Sequence, residues 1–311
     1  MKWKTEIVVM SPNQIIESNI RSCSLTIIIP HHNIPELLQR CLDSIPERDD
    51  IQVLVIDDNS DESYVDFEMF PGRNRNNVET FFTSEGKGAG SARNVGLKHA
   101  EGDWLLFADA DDFFVDGFYD IVSNYFNSAH DMIIFKAESV NSDTLEPSGR
   151  NRCLNSLVDR AQAGDNPVEA SLSFQAPWCR LIRRSFVVNN QIWFEEVLSG
   201  NDVMFTTKAS CLAGSIGFSD KIIYINTERR GSLWDSRKQD PTNYLTRLKV
   251  QIERNKYVAT YGYRKRLILV NIMGALDLGI PTFIKAVAIS ILRRSFFDGF
   301  GCYLKAKFTV N

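Results

Sequence analysis

Three carboxylates fall within four residues at Asp109-Ala110-Asp111-Asp112. Two like unit charges about 4 Å apart repel by about 1 kcal/mol in water, and by more in a cleft. A hard divalent cation with oxygen ligands, Mg²⁺ or Mn²⁺, relieves that repulsion and also binds phosphate oxygens. Asp109, Asp111 and Asp112 are therefore candidate metal ligands. Alone, the cluster reads equally well as an acidic solvated turn. Here it follows directly on the apolar run 104–108 (WLLFA), and open α/β sheets bind ligands where such strands end.

Five other groups have types and positions suited to chemistry. Asp58 lies in Asp57-Asp58-Asn59-Ser60, after the apolar run 53–56. A carboxylate there can accept a hydrogen bond from the imide N–H of uracil, or the quartet forms an Asx turn. Gly86-Lys87-Gly88-Ala89-Gly90 leads to Arg93. Glycines let the backbone approach a ligand, and the start of the following helix favours anions. The spacing is neither that of a Walker A loop nor that of a dinucleotide fingerprint. Asp202 stands at the start of a predicted helix, where the macrodipole favours the ionised carboxylate that a general base requires. Asn201 or Asp202 as a simple helix cap fits the same residues. Arg229, Arg230 and Ser232 form a candidate loop over a diphosphate, or a solvated basic turn. Trp178 and Trp193 are candidate acceptor platforms or core residues.

Placing these groups together takes an alternation of strands and helices. Residues 25–30 (LTIIIP) form a continuous apolar, β-branched run, as suits a strand buried on both faces. Pro35 opens a helix with Leu37, Leu38, Cys41, Leu42 and Ile45 on one face. Strands are expected at 53–56, 78–82 and 104–108, a helix-like stretch at 64–70, and a helix at 91–100. This order predicts an open, mostly parallel α/β sheet. Its strand ends would gather His31-His32-Asn33, Asp58, the glycine loop and Asp109–Asp112 on one edge. The second half is less regular. Strands are expected at 131–135 and 222–225, a polar loop-rich insertion at 138–170, a helix at 202–212, and mainly helix over 240–300.

Composition excludes several classes. A net charge of −4 gives no electrostatic case for nucleic acid. The charge is uneven, however: eight Lys/Arg against two Asp/Glu over 264–311 leave that segment at +6. Such a tail suits an acidic partner surface such as anionic lipid. Within 281–297, Lys285, Arg293 and Arg294 interrupt an apolar helical pattern, with Lys305 and Lys307 following. A helix of that kind can lie in a membrane interface or pack on the rest of the chain. No run reaches the roughly 18 apolar residues a membrane span needs, and no signal peptide is expected. The six cysteines lack zinc-ligand spacing and read as buried free thiols.

Taken together and in order, IIIPHHN at 27–33, VIDDNSDE at 55–62, GAGSARNVGL at 88–97, EGDWLLFADADD at 101–112 and NDVMF at 201–205 resemble glycosyltransferase family 2, whose members have the GT-A fold. The resemblance implies an inverting, metal-dependent enzyme that moves one sugar from a nucleotide-sugar, a UDP-sugar by expectation, to a saccharide or lipid-linked saccharide. It implies that Pro30 and Asp58 contact the nucleoside, with His32, Asn33, Gly88, Arg93 and Ala110 in the donor site. It further implies that Asp109 and Asp111 hold ribose or metal, with Asp112 close by, and that Asp202 is the base. The expected division is an extension at 1–22, a GT-A domain at 23–235 with halves 23–120 and 121–235, and a basic helical region at 236–311. The expected setting is bacterial surface-polysaccharide synthesis in the cytoplasm, peripheral to the inner membrane. Asn201-Asp202 departs from the family's common Glu-Asp, and His31-His32 from its Tyr/Phe-Asn pattern. No QxxRW-type motif is present. A nucleotidyltransferase that forms sugar nucleotides would carry its glycine loop after the first strand, where His31-His32-Asn33 stands. A non-catalytic nucleotide-sugar-binding protein would be expected to lack the acidic cluster or Asp202.

Overall fold

The computed structural model describes residues 23–228 and 240–301. The expected extension at 1–22, the loop residues Arg229, Arg230 and Ser232, and the tail lysines Lys305 and Lys307 lie outside the described residues.

Strands β1 (Leu25–His31), β2 (Ile51–Asp58) and β4 (Trp104–Phe107) are buried at every position. Continuous apolar runs do this in sheets covered on both faces. Strand β3 (Val78–Thr83) has only half-buried and exposed positions, as befits the edge it occupies. The remaining strands are β5 (Phe113–Phe114), β6 (Met132–Asn141), β7 (Arg180–Arg183) and β8 (Ile216–Glu228). All eight form one sheet in the order β3-β2-β1-β4-β7-β6-β8-β5. The first four are parallel, β7 runs antiparallel between β4 and β6, β6 and β8 are parallel, and β5 closes the edge antiparallel to β8. This is the mixed, mostly parallel α/β architecture expected of a GT-A domain, with helices following it.

Helix α1 (Pro35–Asp43) starts at a proline, whose missing N–H costs nothing in the first turn, and buries Leu38, Cys41 and Leu42. Its Arg40 reaches out to the Asp111 carbonyl (2.6 Å) and the Ser142 carbonyl (3.0 Å), tying the helix to the acidic turn. Helix α2 (Ala89–His99) follows the glycine loop. Helices α3 (Phe118–Ser123), α4 (Arg152–Gln162), α5 (Pro167–Ser173), α6 (Arg184–Asn189) and α7 (Asn201–Leu212) complete the part around the sheet. Helix α8 (Pro241–Thr260), α9 (Ile268–Gly274), a 3₁₀ turn at Ala275–Leu278 and α10 (Ile280–Leu292) follow. The main apolar cluster runs from Leu25 to Tyr224. The last helices build a separate one from Leu248, Ile252, Ile268, Ile272, Ala275 and Ala286. Val203, Met204 and Val250 join α7 to α8.

Two expectations fail. Residues 64–70 form turns, not a helix. The Asp66 side chain accepts from the N–H groups of Glu68 (2.9 Å) and Met69 (3.2 Å), a local alternative that competes with helical bonding. The segment 138–170 is not loop-rich: it holds the end of β6, α4 and α5. Helix α4 buries only Leu154 and Val158, too thin a stripe to read from sequence. Asn166 caps α5 by accepting from Val168 and Glu169 N–H, both at 3.0 Å.

Candidate active site

Parallel pairing in register brings the ends of β1 and β2 together, with His31 opposite Asp57. His31 Nε2 accepts from the Ile34 N–H (3.2 Å), so Nδ1 carries the proton it shares with Asp57 Oδ2 (2.8 Å). Ser60 adds its N–H (2.9 Å) and hydroxyl (2.5 Å) to the same carboxylate. Burial alone would push Asp57 up, but the bonds from His31 and Ser60 outweigh it and hold the group below the ordinary carboxylate range. Asp57 and His31 thus form a buried clip beneath the neighbouring residues. Asn33 and Asn59 both take left-handed backbone (φ 57° and 60°), which asparagine tolerates better than most residues. His32 is exposed at this edge, its Nδ1 3.0 Å from the Asp58 carbonyl. Pro30 lies buried in β1 beside Ile56.

Asp58 links β2 to the glycine loop, its carboxylate accepting the Gly88 N–H at 2.6 Å. Gly88 has φ +90°, a conformation that side chains rarely adopt. Two residues on, a Cβ at Gly90 would stand 2.2 Å from the Glu195 carbonyl oxygen. That bare backbone lets α2 press against the segment leading into α7. Arg93, one turn into α2, is buried and does not open toward a ligand. Its guanidinium is ion-paired with Asp109, donates to Asn201 Oδ1 (3.1 Å) and lies over the Phe194 ring.

The acidic turn is not symmetrical. Asp109 and Asp111 are half-buried, whereas Asp112 is buried and turned into the protein. Asp112 accepts from the Tyr224 hydroxyl (2.9 Å), Asn226 Nδ2 (2.9 Å) and the Thr227 N–H (2.7 Å). Burial, then the charges of Asp111 and Asp109, push it well above the ordinary carboxylate range. The structure therefore gives Asp112 an anchoring position rather than a ligand's. Tyr224 was not foreseen. Its hydroxyl receives the Asp109 N–H (2.8 Å) while donating to Asp112, so it pins both ends of the turn. Ala110 is buried between them.

Among the described residues no three His, Cys, Asp or Glu side chains are grouped to cage a metal ion. Asp109 and Asp111 fit the other common arrangement, in which one or two carboxylates hold Mg²⁺ or Mn²⁺ together with substrate phosphates. Both are half-buried at the sheet edge, with Asp109 already ion-paired to Arg93.

Asp202 occupies the first turn of α7, after Gly200 at φ +81°. Burial raises its affinity for a proton and Asp109 adds to this, while the charges of Arg93 and Arg247 oppose it. Arg247 was missed because it comes from α8, in the C-terminal helices. Its Cγ would lie 3.6 Å from a Cβ at Gly200, and burial lowers its own proton affinity while Asp202 raises it. Nothing in the local sequence around 247 marks it. The two tryptophans separate. Trp178 is buried and stacked on Tyr224 at 5.4 Å, a core position and not an acceptor platform. Trp193 is exposed, beside the buried Phe194–Phe205 stack.

The profile of glycosyl transferase family 2 matches residues 26–189. The chain belongs to that family. The match covers β1, the glycine loop and the acidic turn, and ends before Asp202. TarS of Staphylococcus aureus strain Mu50, a poly(ribitol-phosphate) β-N-acetylglucosaminyltransferase, is 26% identical over 227 residues, 70% of this chain and 38% of that protein. The poly(ribitol-phosphate) β-glucosyltransferase of Bacillus spizizenii is 25% identical over 231 residues, 71% of this chain and 35% of its own length. The chain thus spans little more than a third of these relatives. Its fold is also that of the S. aureus TarS 1–349 crystal structure with UDP-GlcNAc, at a TM-score of 0.60 and 21% identity, over 87% of this chain and 81% of that one.

Proposed function

We propose that this family 2 chain transfers a single sugar from a UDP-sugar to a saccharide or polyol-phosphate acceptor of a bacterial surface polymer, inverting the anomeric centre. The observation that carries the reading is Arg93, which joins Asp109 of the acidic turn to Asn201 beside Asp202. One buried side chain thereby ties the acidic turn to the start of the helix that carries Asp202, which supports the reading. The nucleoside lies against Pro30, His32 and the Asp58 edge. A divalent ion on Asp109 and Asp111 would supply charge stabilisation for the departing diphosphate. Asp202 takes the proton of the acceptor hydroxyl, and that oxygen attacks the anomeric carbon from the face opposite the nucleotide. The charges of Arg93 and Arg247 favour the ionised form of Asp202 and offset part of the effect of its burial. Trp193 offers an aromatic face on the acceptor side.

The relatives that act on poly(ribitol-phosphate) support a phosphate-bearing polymer as acceptor class. The test is calorimetry with UDP and with GDP, each with and without Mn²⁺, on the chain and on Asp111→Ala. UDP binding that strengthens with Mn²⁺ and loses that gain in Asp111→Ala is expected. Equal binding of both nucleotides, indifferent to metal and to Asp111, would overturn the donor and metal assignments.

A further inference from the structure

Helix α10 is apolar on more than one side: Phe283, Val287 and Ile289 pack on the C-terminal cluster, and further large aliphatic residues face away from it. Thr282, Ala286 and Ser290, spaced by four residues, face inward at 5%, 0% and 0% exposure. Ile280, Ile284, Ile291 and Leu292 face outward at 68%, 60%, 59% and 82%. A helix packed on a domain in water keeps its large apolar stripe toward the core and a polar face outward. Small residues at the tightest contacts and aliphatic residues on the outward face as well are the arrangement of helices whose surroundings are themselves apolar. The adjoining elements repeat it: Val270 and Met273 of α9, Leu276 of the 3₁₀ turn, and Phe297 beyond α10 are all exposed.

The charge around this face identifies its partner. Lys285 is exposed on the outward side of α10, and Arg294 is exposed just after it. Residues 264–301 hold six Lys/Arg against two Asp, a charge of +4, in a chain whose net charge is −4. An apolar surface with basic residues, on an otherwise acidic protein, complements an anionic bilayer interface. At 13 residues α10 is too short to span a bilayer, and no helix among the described residues is long and apolar enough to cross one.

We infer that the outward face of α10, with its exposed isoleucines, Leu292 and Lys285, docks in the plane of an anionic lipid surface. The docking also orients the site. Tyr244 of α8 donates to the Asn271 carbonyl of α9 (2.6 Å), and Arg247, one turn further along α8, adjoins Gly200 and Asp202. One helix layer therefore separates the docking elements from the candidate base. An acceptor carried on a lipid would be presented on that side; only this last point rests on the proposed transfer reaction.

The test is co-sedimentation of the full chain with vesicles of phosphatidylcholine and phosphatidylglycerol (two to one), against pure phosphatidylcholine vesicles. Binding to the anionic vesicles that weakens in high salt is expected, with little on the neutral ones. The double variant Ile284→Glu/Ile291→Glu should lower the partition at least tenfold, and Lys285→Gln about fivefold. Thermal unfolding and UDP-sugar hydrolysis in solution should match the unsubstituted chain, which separates failure of docking from failure of the catalytic reading. Equal partition of the chain and the double variant would overturn the proposal, as would equal binding to both vesicle types. So would light scattering that shows a stable dimer which the double variant dissociates, because the face would then join two copies.

Discussion

In β1, β2 and β4 every side chain is buried, and charged residues gather where the strands end; in α10 small residues are buried and Ile280, Ile284, Ile291 and Leu292 face out. Both regions are compact, but they answer to different surroundings. The sheet excludes water on its own and concentrates charge at one edge, where Asp58, Asp109 and Asp202 meet the glycine loop and Arg93. The C-terminal helices leave part of their burial unfinished. The contrast shows that one chain can close its sheet by its own packing and still leave a helix face that its own packing does not cover.

The largest expected effect tests the sheet edge. Asp202→Asn keeps the size and the helix start but removes the base, so kcat should fall by about 10²–10⁴-fold. UDP affinity should stay nearly unchanged by calorimetry. Normal turnover would remove Asp202 from its assigned role. Next, Leu54→Ala in the fully buried β2 should cost about 2–5 kcal/mol of stability in denaturant unfolding, the ordinary result of a core cavity. Third, Ala286→Leu enlarges the inward stripe of α10, which has no exposed surface to expand into. It should cost about 1–3 kcal/mol in the same assay. A neutral result would mean that α10 is not held against α8 and α9 as described.

The sequence displayed what depends on runs and element ends. Unbroken apolar stretches foretold β1, β2 and β4, and the polar residues just past them foretold the edge with Asp58 and Asp109. It could not display what depends on distant partners. DxDD does not say which carboxylate turns inward; Tyr224, 112 positions away, decides that for Asp112. Arg247 approaches Asp202 only because α8 packs on α7. Trp178 and Trp193 looked alike until Tyr224 claimed one of them. The apolar and basic character of α10 was legible, but the split of its apolar residues between core and surface was not, because periodicity gives a stripe without saying which side of the helix meets the core.

A smaller effect lies in pH dependence. Burial raises the proton affinity of Asp202, so its ionised form is lost as pH falls through a value above the ordinary carboxylate range. Activity should therefore have an acid limb higher than that of an exposed aspartate. Arg93→Gln removes the largest opposing charge, so the limb should move to still higher pH. A pH–rate profile that keeps its limb in place while kcat falls would leave Arg93 with a purely structural part.

The smallest expected effect bears most directly on the contrast between the two regions. Ile284→Ala deletes as many carbons from α10 as Leu54→Ala deletes from β2. In solution Ile284 is 60% exposed, so the folded chain loses little on its removal, and stability should change by no more than about 0.5 kcal/mol. Alanine's better helix propensity offsets part of whatever packing is lost. With anionic vesicles present the same substitution should become costly, because the isoleucine then has apolar surroundings to lose. Unfolding curves of the chain and of Ile284→Ala, each with and without vesicles, measure both numbers. A full core-sized penalty in the absence of lipid would show that this face is already covered, by the chain itself or by another copy, and the contrast between sheet and helix would disappear.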